Sequence, residues 1–451
     1  WFGQCQGLEG PGILTIVETP TDACLSNDTR DDGLVSTGLI WEPSLGRLSY
    51  PRRVRYVVFE RGGYLAQALR YREHVRRQGY LVTLREKRAA NPNVDRLIGA
   101  VNVWTWVPNK IEMARRLKEM GVDRVLWSSA DTAEVVRAVN ELGYLSSIYD
   151  VYQDIYPPNS PMRGSWLRDG WPEELMRNAD GSFVKAWEHR TPYGNYQSGA
   201  RCGMAEVAQA RKHIAADLAE KPYLGRFIDT VTATAWRECY DPAHPSSRAQ
   251  DRDWRMKLLA VCSQEFGLVT GTEDCIDECV PFVHFNEGKL SINPYRLPDA
   301  GRDMIKYKPP TPEFVKYQVS PYFRVPLWEL VYHDCVVSHW YWGDYSNKAP
   351  EFWDQRDLFN VLYATPPMWM FDNPIWGQHQ QRFLKCYQDV VPVITPMGYE
   401  AMTSHRFLTE GHTVQESTFS NGARLVVNFG PEPFVDQDGT IVAPKGYRAV
   451  L

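Results

Sequence analysis

The sequence predicts a (β/α)8 TIM-like barrel with long loop insertions, flanked by an N-terminal β-sandwich remnant and a C-terminal β module. Between residues 92 and 395, short apolar runs alternate with helix-like stretches, which is typical of a parallel sheet or barrel. The segments before and after this region alternate apolar and polar residues between turn residues, as antiparallel strands do. The 451 residues accommodate a barrel of about 250 residues with insertions and flanking modules.

The domain boundaries follow from these changes of pattern. Residues 1–62 are predicted to be the end of an N-terminal β-sandwich, and residues 63–91 a linker region that contains a helix. Residues 92–395 form the predicted catalytic barrel. Residues 396–451 form the predicted C-terminal β-sheet module, in which Asn421-Gly422 indicates a hairpin.

The barrel region alternates between the two kinds of element in chain order. Strands are predicted at 97–104, 124–128, 145–150, 223–229 and 266–273 and within 327–340, and helices at 110–120, 132–142, 204–220, 254–266, 354–363 and 378–391. Two long Pro-rich segments, 152–200 and 281–325, interrupt this order. Long insertions in a barrel usually build the rim of its active site, so the same is expected here.

Composition and charge narrow the classes of partner. The formal net charge is −5 and no basic block occurs, which argues against nucleic acid and anionic membranes as partners. No apolar run is long enough to predict membrane insertion. The 16 Trp and 24 Tyr favour a carbohydrate partner, because aromatic faces pack against the C–H face of a sugar ring. Oligomeric state and cell compartment are not determined by the sequence.

Two carboxylates at the ends of neighbouring apolar runs are the main candidate catalytic residues. Asp229 ends the run that begins at Tyr223, and Glu273 ends the run that begins at Phe266, with a helix-like stretch between them. In a barrel, both would lie at the C-terminal ends of adjacent strands, which are roughly 5 Å apart. Two carboxyls about 5–5.5 Å apart are what a retaining glycosidase uses. Asp229 is the predicted nucleophile and Glu273 the predicted acid/base.

Asp229 and Glu273 each have a competing interpretation. Asp229 could instead cap the following loop or pair with Arg226. Glu273 is followed closely by Asp274, Asp277 and Glu278, so the acid/base could be another acid of this loop. These neighbours could also raise the pKa of Glu273 by like-charge repulsion.

Further residues at predicted strand ends are candidates for binding sugar. Carboxylates and amides there accept and donate hydrogen bonds to hydroxyls, and Trp rings form subsite walls. The candidate substrate-binding residues are Asp150, Trp104, Trp127, His333, Asp334 and Trp342. Alternatively, Asp150 is a loop cap and the tryptophans belong to the core.

Competing functions are a metal-dependent hydrolase and a non-catalytic glycan-binding protein. Barrel amidohydrolases need His-x-His at the end of the first strand, where this chain has Asn102-Val-Trp104. Nucleotide-binding and serine-hydrolase motifs do not occur in a fitting context. No cofactor is expected to be required. A structural Ca²⁺ ion bound by loop acids stays open, although no ligand spacing indicates one, and any metal ligand is unknown.

Three segments resemble a known group of enzymes. Phe227-Ile-Asp229, Thr270-Gly-Thr-Glu273 and the stretch from Pro326 to His333-Asp334, in this domain order, resemble the retaining α-N-acetylgalactosaminidases of glycoside hydrolase families 101 and 129, with family 129 the nearer. The resemblance implies that Asp229 is the nucleophile and Glu273 the acid/base.

The resemblance also suggests where the sugar binds and what it is. It implies that Asp150, His333 and Asp334 lie near the sugar subsite. The implied substrate is α-linked N-acetylgalactosamine (GalNAc), as on the Ser/Thr-linked glycans of mucin glycoproteins. A related branch that acts on another α-glycoside is the alternative.

Overall fold

The computed structural model describes residues 1–162, 164–192, 194–298 and 301–451. The chain folds into two compact units, each of which is discontinuous in sequence. The first unit comprises Trp1–Gln67, Val151–Ala216 and Asp229–Val261, and the second comprises Ala68–Asp150, Asp217–Ile228 and Cys262–Leu451.

The strands and helices of the described residues are numbered in chain order. The strands are β1 (Phe2–Cys5), β2 (Gly12–Val17), β3 (Ala23–Thr29), β4 (Val35–Trp41), β5 (Val54–Phe59), β6 (Val101–Thr105), β7 (Val125–Trp127), β8 (Leu145–Asp150), β9 (Asp154–Ile155), β10 (Lys185–Thr191), β11 (Gly194–Ala200), β12 (Gly225–Ile228), β13 (Val269–Glu273), β14 (Phe285–Glu287), β15 (Val337–His339), β16 (Met368–Phe371), β17 (Met402–Phe407), β18 (Val414–Phe419), β19 (Arg424–Asn428), β20 (Phe434–Val435), β21 (Ile441–Val442) and β22 (Gly446–Val450). The α-helices are α1 (Gly63–Arg77), α2 (Leu84–Ala90), α3 (Val94–Leu97), α4 (Lys110–Glu119), α5 (Ala133–Glu141), α6 (Gly203–Glu220), α7 (Arg248–Ala260), α8 (Leu327–Tyr332), α9 (Trp353–Tyr363) and α10 (Asn373–Ile394).

An eight-stranded parallel sheet dominates the second unit. Its strand order is β15-β14-β13-β12-β8-β7-β6-β16, and the sheet curls into a nearly closed barrel. Apolar side chains from its inner face form a buried core that includes Phe227, Val269, Phe285, Met368 and Met370. The predicted (β/α)8 barrel is therefore confirmed.

Smaller sheets account for the chain on both sides of the barrel. Near the N-terminus, β1, β2 and β5 form an antiparallel sheet and β3 and β4 a hairpin. Within the insertion after β8, β9, β10 and β11 form another sheet of the first unit. At the C-terminal end, β17, β18, β19 and β22 form an antiparallel sheet. The predicted Asn421-Gly422 turn joins β18 to β19, with Gly422 at a φ of 87°.

Strand β15 confirms the strand predicted within 327–340, whereas β14 and β16 were not predicted as strands. The segment 327–340 begins with the buried helix α8, and only Val337–His339 is a strand. A helix buried on most of its sides has the same continuous apolar sequence as a buried strand, so periodicity did not separate the two. Strand β14 lies inside the predicted insertion 281–325. It is three residues long and two of them, Asn286 and Glu287, are polar, so it lacks the apolar pattern of a strand.

No helix among the described residues has both the length and the apolar character needed to cross a membrane.

Candidate active site

The candidate catalytic carboxylates lie at the ends of the barrel strands on which they were predicted. Strands β12 and β13 are parallel neighbours, with Ile228 opposite Thr272. Asp229 directly follows the last residue of β12, and Glu273 is the last residue of β13. Both carboxylates therefore occur at the C-terminal ends of adjacent parallel strands.

Glu273 is paired with a second buried acid that the sequence did not single out. In the register of β13 and β14, Glu273 lies opposite Glu287, whose side chain is fully buried. Glu287 accepts hydrogen bonds from Asn102 Nδ2 at 2.6 Å, from Trp104 Nε1 at 3.1 Å and from Trp342 Nε1. Paired residues of parallel strands point to the same face of the sheet, so Glu273 and Glu287 share the inner face.

Aromatic rings surround this acid pair on the inner face of the barrel. The Trp104 ring lies 6.1 Å from Tyr149, 6.2 Å from Phe227 and 5.8 Å from Trp342 between centroids, and Tyr149 stacks on Phe227 at 6.1 Å. These separations fall in the favourable range for aromatic pairs. Tyr149 is 37% exposed, so it presents an aromatic surface to the barrel mouth.

Two acids that follow Glu273, Asp274 and Asp277, were alternative candidates for the acid/base. Asp277 accepts hydrogen bonds from the hydroxyls of Tyr71 at 2.5 Å and Tyr332 at 2.6 Å. Asp274 accepts from Asn293 Nδ2 at 3.1 Å and lies 3.4 Å from Arg296 Nη2. These contacts assign Asp274 and Asp277 to loop and helix packing, whereas the strand register places Glu273 inside the barrel.

In the first unit, Asp229 lies near another acid, Asp154 of β9. Burial raises the pKa of Asp154 to about 6, the positive charge of Arg237 opposes this rise, and the negative charge of Asp229 adds to it. The side chains of Ser198 and Tyr156 also hydrogen-bond to Asp154. Asp154 was not predicted as a site residue, although it is the first acid of the insertion after β8.

The neighbouring Gln153 adds a buried donor to the same unit. Its Oε1 accepts a hydrogen bond from Thr234 Oγ1 at 3.3 Å, and its side chain is fully buried. Among the described residues, Gln153 Nε2 has no hydrogen-bond partner. A buried amide N–H group without an acceptor is costly, so Gln153 is equipped to bind a ligand oxygen.

Asp150 and Trp127 lie in the barrel wall but do not share the face of Glu273. Asp150 ends β8 and forms an ion pair with Arg226. Tyr149 and Phe227 point inward, so the next residue of β8 and the preceding residue of β12 point outward. Trp127 is opposite the outward-facing Val103 and is fully buried. The structure therefore assigns both residues to packing outside the barrel lumen.

The predicted placement of His333 and Asp334 at the end of a strand is wrong. They follow helix α8 and precede β15, so they lie at the N-terminal end of that strand, opposite to Glu273 and Glu287. The His333 ring nitrogens lie 2.7 Å from Glu400 O and 3.1 Å from Ala364 O. Asp334 forms a two-point ion pair with Arg72 at 2.7 and 2.8 Å. These contacts connect packed elements of the second unit.

Metal binding has no support in the described part of the chain. There, no three or more His, Cys, Asp or Glu side chains are grouped so that they could hold an ion. The seven buried cysteines are free thiols, and the free cysteines Cys5 and Cys24 are exposed.

Known structures show the same fold. The α-N-acetylgalactosaminidase NagBb from Bifidobacterium bifidum in complex with GalNAc gives a TM-score of 0.75 at 22% identity, covering 100% of this chain and 73% of that chain. A GH31 family sulfoquinovosidase from E. rectale gives 0.55 at 12% identity, covering 98% and 69%. The GH36 α-galactosidase AgaA from Geobacillus stearothermophilus gives 0.52 at 11% identity, covering 94% and 59%.

Sequence comparison identifies the family. No curated protein sequence matches the chain. The family model described as glycosyl hydrolases related to GH101 family, GH129, matches residues 116–308 and 295–418, which is more than half of the sequence. Glycoside hydrolases of this type need no cofactor. The chain belongs to the glycosyl hydrolases related to the GH101 family, GH129, and is a glycoside hydrolase.

Proposed function

We propose that this glycoside hydrolase cleaves α-linked GalNAc by a retaining double displacement, with Asp229 as nucleophile and Glu273 as acid/base. The observation that supports these roles is the parallel register of β12 and β13. In this register, Asp229 and Glu273 occur at the same ends of adjacent strands. Neighbouring strands are roughly 5 Å apart, the separation that a retaining pair needs.

In the first step, the Asp229 carboxylate attacks the anomeric carbon while Glu273 donates a proton to the leaving glycosidic oxygen. The product is a glycosyl ester on Asp229. In the second step, Glu273 takes a proton from a water molecule that attacks the same carbon and releases the sugar. Two inversions give net retention of the anomeric configuration.

Sugar binding is proposed to involve the aromatic inner face and the acids near each catalytic residue. Tyr149, Trp104 and Trp342 offer ring faces to the C–H face of the sugar, and Glu287 fixes the two indoles by accepting their N–H groups. Asp154 and Gln153 are proposed to bind sugar hydroxyl or amide groups beside Asp229. Glycan recognition typically combines such aromatic surfaces with a few polar groups.

The choice of GalNAc is supported by the similar NagBb structure, which has GalNAc bound. A second candidate is an α-galactoside, because a GH36 α-galactosidase shares the barrel fold. The two sugars differ at the 2-position, where GalNAc has an acetamido group and galactose a hydroxyl. A panel of p-nitrophenyl α- and β-glycosides separates these candidates directly.

The roles of the two carboxylates are tested with Asp229→Ala and Glu273→Ala, with Asp274→Asn as the matched control. We expect Asp229→Ala to be inactive and to form a β-glycosyl azide when azide is added. Glu273→Ala should lose about 10²–10⁴-fold in kcat/KM on substrates whose leaving group needs protonation. The loss should be smaller on 2,4-dinitrophenyl glycosides, which leave without protonation.

Product stereochemistry provides the decisive measurement. Proton NMR of the wild-type reaction should show the α-anomer of the free sugar first, with the β-anomer appearing only by mutarotation. Initial release of the β-anomer would mean inversion and would overturn the double displacement. Full activity of Asp229→Ala would overturn the assignment of the nucleophile.

A further inference from the structure

The segment that follows Asp229 is bound by one buried arginine. Arg255 lies on α7 in the same unit as Asp229 and is fully buried. Its Nη1 donates hydrogen bonds to Thr234 Oγ1 at 2.9 Å, to Thr234 O at 3.0 Å and to Val231 O at 3.2 Å. Its Nη2 donates to Ala235 O at 2.9 Å. A single guanidinium therefore binds three backbone carbonyls within seven residues of Asp229.

Arg255 is itself oriented by an acid one helical turn earlier. Asp251 Oδ2 lies 2.7 Å from Arg255 Nη2, and its side chain is almost fully buried. The same oxygen accepts a hydrogen bond from the backbone N–H of Arg237 at 2.8 Å. The Trp236 ring centroid lies 4.9 Å from the guanidinium carbon. The Arg255–Asp251 pair thus binds the backbone of the segment 231–237 through both carbonyl and N–H groups.

The local backbone explains why this segment needs such contacts. Thr230 adopts a φ of +65°, which for a β-branched residue is a strained conformation. The N–H of Val231 bonds to the carbonyl of Asp229 at 2.8 Å, so the chain turns sharply as soon as it leaves β12. Strain of this kind persists only where surrounding contacts enforce it. The carbonyls after the turn converge on Arg255.

We propose that Arg255, oriented by Asp251, is a positioning residue that fixes the Asp229 carboxylate for attack on the anomeric carbon. This inference rests on the proposed function, because it takes Asp229 as the nucleophile. Arg255 acts through the backbone and does not touch the sugar. Displacement of a reacting group by about 1 Å can cost 10²-fold in rate, so losing these contacts lowers kcat rather than substrate affinity.

The variants Arg255→Ala and Arg255→Lys test the proposal on the glycoside that the wild type cleaves. We expect kcat of Arg255→Ala to fall about 10²-fold with KM within a few-fold of wild type. A lysine ammonium is a point charge and does not reproduce the planar fork of donors, so Arg255→Lys should recover only part of the loss. Arg248→Ala removes another arginine of the same helix, one that pairs with Asp22 and Glu238, and should leave kcat unchanged.

Chemical rescue distinguishes positioning from a general loss of structure. Methylguanidinium, at concentrations too low to unfold the protein, should restore at least part of the kcat of Arg255→Ala by occupying the vacated cavity. Methylammonium at the same ionic strength should not. If Arg255→Ala fails to fold, Asp251→Asn takes its place, because it keeps the side-chain volume, removes the charge that orients Arg255, and should also lower kcat without raising KM.

Three outcomes contradict the proposal. It is overturned if folded Arg255→Ala, or Asp251→Asn in its place, keeps the kcat of the wild type, if the loss is in KM alone, or if methylguanidinium does not restore the activity of a folded Arg255→Ala. Failure of the proposed function looks different, because Asp229→Ala would then keep its activity. An inactive Asp229→Ala together with a fully active Arg255→Ala rejects only the role of Arg255.

Discussion

Glu287 is the buried carboxylate on which three N–H donors converge inside the barrel. Replacing it by glutamine keeps the volume but leaves one acceptor oxygen and introduces two N–H groups facing Asn102, Trp104 and Trp342. At least one buried donor then loses its acceptor, so we expect Glu287→Gln to lower the free energy of unfolding by about 1–3 kcal/mol. KM should rise as well, since the two indoles lose their shared anchor. Chemical denaturation and steady-state kinetics measure the two effects.

The matched control is Glu351→Gln on an exposed glutamate. Glu351 accepts a hydrogen bond from Tyr307 at the surface. Weakening this exposed hydrogen bond should change the free energy of unfolding by no more than about 0.5 kcal/mol. Equal stability of wild type and Glu287→Gln would show that these hydrogen bonds do not stabilise the barrel interior.

At the residue scale, sequence alone predicted that Asp229 and Glu273 lie at the ends of neighbouring barrel strands, because each ends an apolar run. It did not predict that Asp150 faces outward, since a residue one step along a strand points to the opposite face and the sequence pattern did not fix which face is inner. It missed Glu287 because the short strand β14 lacks an apolar pattern. Such an acid could be found only through its register with β13.

Strand β13 positions Glu273 through a close approach of two neighbouring strands. A Cβ atom at Gly271, two residues before Glu273, would come 2.2 Å from the ring of Phe285 on β14. The ring is fully buried and packed against its neighbours, so Gly271→Ala should force it to move. We expect a loss of about 1–3 kcal/mol in stability and a fall in kcat, because β13 shifts where it leads to Glu273. Thermal unfolding and initial rates test this.

Gly377→Ala is the control for the effect of adding a methyl group. Gly377 is exposed in helix α10, and a Cβ atom there would meet nothing within 4 Å. Alanine favours a helix over glycine by about 1 kcal/mol, so this variant should be as stable as wild type or more stable. If Gly271→Ala matched it in stability and rate, the packing of Gly271 against Phe285 would not be needed to position Glu273.

At the element scale, the alternation of strands and helices predicted the barrel because each parallel strand is a short apolar run followed by an amphipathic helix. Helix α8 was not predicted, because burial removed the contrast between an apolar and a polar face that marks an amphipathic helix. Helix α8 is buried at Glu329, Leu330, Val331 and Tyr332, so its sequence is continuously apolar except for one acid. The sequence therefore predicted a strand within 327–340, which β15 confirms, but not the helix that precedes it.

At the scale of the whole molecule, the two units could not be predicted from local patterns. The first unit joins the N-terminal sheets with residues 151–216 and 229–261, which are far apart in sequence. Contacts between distant segments depend on tertiary packing, and no composition change marks them. The candidate nucleophile Asp229 therefore begins a segment of one unit, whereas Glu273 belongs to the other.

Stability should depend on pH through a buried acid of the first unit. Burial raises the pKa of Glu206 to about 8 and the negative charge of Asp251 adds to this rise, while Arg255, Arg237 and Arg201 oppose it. The folded state thus binds a proton more tightly than the unfolded state, whose glutamate titrates near 4.5. This contribution to stability is fully present below the unfolded pKa and is lost as pH rises through 8.

The difference between Glu206→Gln and wild type isolates this effect from the other titrating groups. Glutamine carries no charge at any pH, so the free energy of unfolding of the variant relative to wild type should increase between pH 5 and 8, by at most about 1.4 kcal/mol per pH unit. Glu220→Gln on the same helix α6 changes an exposed glutamate and should show a constant difference. Denaturation at several pH values measures both slopes. A Glu206→Gln difference that stays flat from pH 5 to 8 would mean that Glu206 is already ionised in the folded protein, because only a group that takes up its proton on folding contributes to this slope.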